Sequence, residues 1–149
     1  MDASVQSRTL WMVLLFAAVY LVIGIAFAGF SDLATKTAMH LIWRRLAWLV
    51  SGVAFAAHMA YEHFQRGSPP RRTAIHSSIA AALGAGGLVV AANLHERMAA
   101  SRYRPSIAIA LLAWPLLTLV PAFVVAMVGA TVLNRWYPRA SNHDKAKSS

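Results

Sequence analysis

Residues 10–30 read LWMVLLFAAVYLVIGIAFAGF, 21 residues without a charge. A helix rises about 1.5 Å per residue, so roughly 20 residues are enough to cross the hydrocarbon core of a bilayer. In that medium the backbone must satisfy its own hydrogen bonds, and a helix does so within one segment. Arg8 before this run and Ala26-Phe27-Ala28 within it imitate a secretory signal with its small-residue cleavage site. A cleaved signal has an apolar region of about 7 to 15 residues. Here 16 residues precede Ala26 and the run continues to Phe30, so it reads as a retained first span.

Working outward, the next apolar segment, Ala38 to Tyr61, is interrupted by Arg44 and Arg45. Charges at the centre of a bilayer are costly, so the spacing sets the lipid boundary near Trp43, Arg44 and Arg45, with Trp48 nearby and a span over about 46–64. Ser31 and Asp32 read as N-cap residues for the segment before it. Leu33 to Ile42 then forms an amphipathic turn in the interface or begins the same long helix. Gln65 to Arg72, with Gly67 and Pro69-Pro70, is the clearest loop.

A third span over about 74–95 is rich in small residues. Ser77, Ala81 and Ala85 recur every fourth position, as do Ser78, Ala82 and Gly86, a spacing that lets helix backbones approach closely in lipid. This helix is expected at the centre. Pro105 suits the first turn of a fourth helix, whose uncharged stretch covers 106–133. At 28 residues it is about 42 Å long, and Pro115 and Pro121, with Thr118 between them, supply a structural bend. Trp136 and Tyr137 mark an interface, and 141–149 reads as a disordered polar tail. The fold expected is an all-α integral membrane protein: one domain of 149 residues, a four-transmembrane-helix up-down bundle with short loops.

Composition agrees. The chain is 58% hydrophobic and 13% charged, against about 25% charged in soluble domains. Absence of cysteine excludes disulfides, thiolate metal sites and cysteine nucleophiles. The net charge of +9 is spread over tails, loops and the Arg44-Arg45 pair, which points to anionic lipid headgroups as the partner and away from nucleic acid. Eight basic residues fall on the side of the termini and second loop. Four fall opposite, or six with Arg44 and Arg45. The bias favours both termini in the cytoplasm. Arginine-rich, lysine-poor, alanine-rich usage points to a GC-rich bacterial genome and hence an inner (plasma) membrane.

The one compositional feature that suggests chemistry is six histidines beside five acidic residues. His143 falls in the tail, and His40 and His95 lie toward one membrane face. His58 and His63, late in the second span, are on the same side as His76, early in the third. His58 and Glu62 are four apart and share a helix face, continued backward through Phe55, Ser51, Trp48 and Arg44. Such a stripe should face the bundle or a wet cavity.

Facing imidazoles from His58 or His63 and from His76 suit axial ligation of haem b, with His58 and His76 the favoured pair, or together with Glu62 a metal site of two imidazoles and one carboxylate, with Glu62 and His63 as its ligands on the second span. In plan only, a four-helix membrane bundle with histidines facing across its core resembles the b-type cytochromes. The alternative is that these histidines are interfacial, with His58 hydrogen-bonded to Glu62. Asn93 and Arg97 read as interface residues, and Tyr20 and Gly24 as packing. No nucleophile triad, phosphate loop or histidine box is present. The leading functional expectation is a non-enzymatic accessory or homo-oligomeric subunit, alone or in a larger membrane complex. A haem redox protein and a small transporter or channel using His58 and Glu62 are the alternatives.

Overall fold

The computed structural model describes residues 3–99 and 106–137. They form four α-helices: α1, Ala3–Asp32; α2, Thr37–Phe64; α3, Pro70–Ala99; and α4, Ser106–Trp136. Among the described residues there is no strand. Three helical segments are long and apolar enough to cross a membrane: Ser7–Asp32, Pro70–His95 and Ile109–Trp136. α2 is long enough at 28 residues. Arg44, Arg45, His58, Glu62 and His63 dilute its apolar character.

Helices consecutive in the chain alternate in direction. Phe16 of α1 meets His58 of α2, while Phe27 and Phe30, further along α1, meet Trp43, further back on α2. α1 and α3 run the same way, since Ala17 and Tyr20 approach Gly84 and Gly24 approaches Leu88. α3 and α4 are antiparallel, with Ala74 beside Ala126 and Gly86 opposite Pro115. α3 packs on all three other helices, whereas among the described residues α1 and α4 do not meet. α1 and α4 each pack on both α2 and α3. The small residues of α3 earn this central place: Ala74, Ser77, Ser78, Ala80, Ala82 and Ala85 are buried.

Close packing depends most on Gly84. A Cβ there would lie 2.7 Å from the Tyr20 Cβ and 3.1 Å from the Ala17 carbonyl oxygen, so only glycine fits without moving α1. Gly24 and Gly86 repeat the principle against Leu88 and the ring of Pro115. Pro115 and Pro121 both lie within α4, where the Thr118 hydroxyl donates to the Trp114 carbonyl at 2.9 Å.

Two boundaries differ from the sequence expectation, and a third follows one of its two alternatives. Ser31 and Asp32 do not cap α2; they end α1, and the N-cap of α2 is Lys36, which makes no side-chain cap bond. Ser31 still holds α2, because its Oγ is hydrogen-bonded to Nδ1 of His40 at 2.9 Å. Residues 37–64 form one helix, so the interfacial stretch and the second span are continuous. α3 begins at Pro70 rather than near 74, because a proline in the first turn has no intrahelical N–H duty. The α2–α3 turn closes through Gly67, whose φ of 57° is a left-handed conformation open to glycine. Pro105, Arg102, Arg104 and the 141–149 tail lie outside the described residues.

Candidate functional site

The sequence stripe on α2 is buried only at its C-terminal end. His58 and Glu62 are fully enclosed, Ser51 and Phe55 are half-buried, and Arg44 and Trp48 are exposed. Among the described residues the buried polar or charged ones are His58, Glu62, His63, Thr73, Ser77 and Ser78. All six belong to the last two turns of α2 and the first three of α3, so the polar interior occupies one end of the bundle.

Glu62 is the hub of that end. Its Oε1 accepts from Arg66 Nη1 at 3.0 Å, and its Oε2 accepts from Ser68 Oγ at 2.7 Å and from His76 Nδ1 at 3.4 Å. Its backbone carbonyl accepts from the Ser68 N–H at 3.1 Å. Arg66 also donates through Nη2 to Thr9 Oγ1 at 2.6 Å, which joins α1 to the cluster. One carboxylate therefore ties α1, α2, the turn after α2, and α3. A buried charge is tolerated when it is paired and its remaining lone pairs are satisfied, and Glu62 meets both conditions.

His58, one turn earlier, is different. Its ring lies flat on Phe16, with centroids 3.8 Å apart and planes 6° apart. Neither ring nitrogen has a hydrogen-bond partner. The Tyr20 hydroxyl and the Ser77 hydroxyl are likewise buried and unpartnered.

The structure therefore brings together Glu62 and His76, and sets His58 against α1. His58 is not hydrogen-bonded to Glu62, although both point inward. Glu62 and His63 diverge, because adjacent helix positions are about 100° apart. Nε2 of His63 donates to the Tyr137 carbonyl at 3.3 Å, toward the end of α4. Among the described residues no group of three or more histidine, aspartate or glutamate side chains is arranged to hold a metal ion. His40 is engaged by Ser31 at the other end, and Asn93 bonds back to the Val89 carbonyl at 2.7 Å.

Sequence reasoning passed over Arg66, Ser68 and Thr9, and read Tyr20 and Ser77 only as packing. Arg66 was legible, being four residues after Glu62, the spacing of a helical ion pair. Thr9 was not, since 57 residues separate it from Arg66. No family model, characterised protein or solved structure matches the chain.

Proposed function

We propose that this protein is a non-enzymatic subunit of a membrane assembly, crossing the bilayer four times and associating with a second copy through α2. In this reading both termini are cytoplasmic, the membrane is a bacterial inner membrane, and Arg44 and Arg45 lie among anionic headgroups. The observation that carries it is the outer face of α2. Gly52 and Ala56 are exposed and Ala60 is half-buried, giving small residues every fourth position. A Cβ at Gly52 would meet nothing within 4 Å. By contrast, the small faces of α3 are spent inside the chain, with Gly84 and Gly87 against α1 and Gly86 against α4. In lipid, where apolar burial alone drives little association, an unfilled small-residue face is a helix-docking surface.

Two features support this over transport or haem chemistry. Among the described residues the buried polar ones lie at one end of the bundle, and the Glu62 carboxylate is occupied by partners that hold helices together. The test is the Gly52→Leu, Ala56→Leu variant, studied by native mass spectrometry from mild detergent and by crosslinking in proteoliposomes. Dimer in the wild type and at least tenfold weaker association in the variant, with unchanged helicity and melting, are the expected results. A monomeric wild type, or a variant that associates as well, would overturn the reading. Proton or ion flux that disappears in Glu62→Gln while the fold persists would replace it with a transporter.

A further inference from the structure

Tyr20, His58 and Ser77 come from three helices, and each is more than nine-tenths buried. Together they present four unpartnered polar atoms: the Tyr20 hydroxyl, both His58 ring nitrogens and the Ser77 hydroxyl. They occupy one neighbourhood. Tyr20 belongs to a core cluster with Val13 and Ala80, Phe16 packs against that cluster, and the His58 ring lies on Phe16. Ser77 precedes Ala80 by one turn on the same face of α3. Tyr20 has its Cβ beside Gly84, and an aromatic side chain on a helix leans toward the N-terminus, here toward the Phe16 and Ala80 level.

Ser77 is the most informative of the three. Ser78, Asn93, Thr118 and Thr131 each bond back to a carbonyl of their own helix, at 3.0, 2.7, 2.9 and 2.7 Å. That satisfaction is local and open to any serine in a helix. Ser77 does not take it, and its hydroxyl stays buried without a partner. One such group is an ordinary exception, since most buried polar atoms in native proteins are paired. Three from three helices, linked through the Phe16 ring and Ala80, make a set of donors and acceptors.

We infer that Tyr20, His58 and Ser77 form an internal hydration site, one that binds water and is reached from the Glu62 end of the bundle. The chemistry selects the ligand. A neutral imidazole needs one donor and one acceptor, and each hydroxyl serves as either, so the ligand must also do both. Arg66 offsets the Glu62 carboxylate one turn away, so the site does not call for an ion. A water needs two to four polar partners, which these atoms supply. Entry is from one side. The Arg66 and His76 side chains around Glu62 are 19% and 20% exposed, whereas beyond Tyr20 the interior closes through Leu21–Gly87 and Gly24–Leu88 contacts.

The inference does not depend on self-association. It is tested by water-edited NMR of the wild-type protein, labelled with 15N-histidine, in proteoliposomes, with the His58 signal assigned by its loss in His58→Phe. Expected is magnetisation transfer from water to the His58 ring protons at a rate near that of the partly exposed His76, weakened at least threefold in Tyr20→Phe, Ser77→Ala. Absence of transfer to His58 in the wild type would overturn the site. Melting supplies a second readout. Tyr20→Phe lowers the midpoint if water bridges the hydroxyl, and a higher midpoint would count against the site because it marks removal of an unsatisfied group.

Discussion

The two halves of α2 invert the usual relation between polarity and burial. In its last two turns the enclosed residues are His58, Met59, Glu62 and His63. In its first half the side chains left outside include Leu41, Ile42, Leu46, Trp48, Leu49 and Val50, with Trp48 80% exposed. In water this would be a misfolded surface, because large apolar side chains are the ones normally buried. In lipid there is little to gain by hiding a leucine, and the groups that need shelter are the polar ones. The difference teaches that one end of this bundle is held by hydrogen bonds and charge, while the other relies on aromatic contact of Phe27 and Phe30 with Trp43 and on the Ser31–His40 bond.

The largest break in this comparison should come from Glu62→Ala. It removes the acceptor shared by Arg66, Ser68 and His76 and leaves the Arg66–Thr9 bond as the remaining tie between α1 and the turn after α2. Removing one partner of a buried pair costs about 3–5 kcal/mol, and partial exposure of Arg66 places the effect toward the lower end. Thermal unfolding in detergent should show a marked drop, with Glu62→Gln intermediate. An unchanged midpoint for the alanine variant would mean that the polar end is not what holds the helices.

Gly84→Val probes the packing between the two ends. Its branched side chain would enter the space of the Tyr20 Cβ and the Ala17 carbonyl, and overpacking of this kind costs about 1–3 kcal/mol. Cysteine pairs placed across α1 and α3 near this level should crosslink more slowly in the variant. Equal crosslinking rates would show that α1 does not depend on that close approach.

The smallest effect on stability belongs to the exposed half. Arg44→Gln, Arg45→Gln should change the melting midpoint little, within about 0.5 kcal/mol, because neither side chain is buried. It should weaken preference for anionic over zwitterionic lipid by about 1 kcal/mol per arginine, read by lipid retention in native mass spectrometry. Strong unfolding of this variant would erase the contrast between the halves.

Much of the fold was legible because membrane spans are written locally. The uncharged run over 10–30, the small-residue spacing of α3 and the Gly67 to Pro70 turn each carry their signal within a few residues. Ends of helices were less legible. Ser31 and Asp32 have the chemistry of caps, yet α1 runs through them, since a helix continues wherever its next residues allow. The candidate site was half legible. His58 and Glu62 share a face by spacing alone, and Arg66 follows at the ion-pair interval. The neighbours of the two imidazoles were not legible: Glu62 lies beside His76, and Phe16 stacks on His58.

The sequence by itself determined that the chain is helical, apolar enough for a membrane and folded back at short turns, because length, charge gaps and proline-glycine positions are properties of consecutive residues. Only the tertiary structure decided that Glu62 gathers Arg66, Ser68 and His76, that Thr9 reaches the same cluster, and that Tyr20, His58 and Ser77 are buried with unpartnered polar atoms. Those facts depend on how helices are rotated about their axes and set against one another. Such rotations are fixed by packing between distant residues, of which the Gly84–Tyr20 approach is the clearest case.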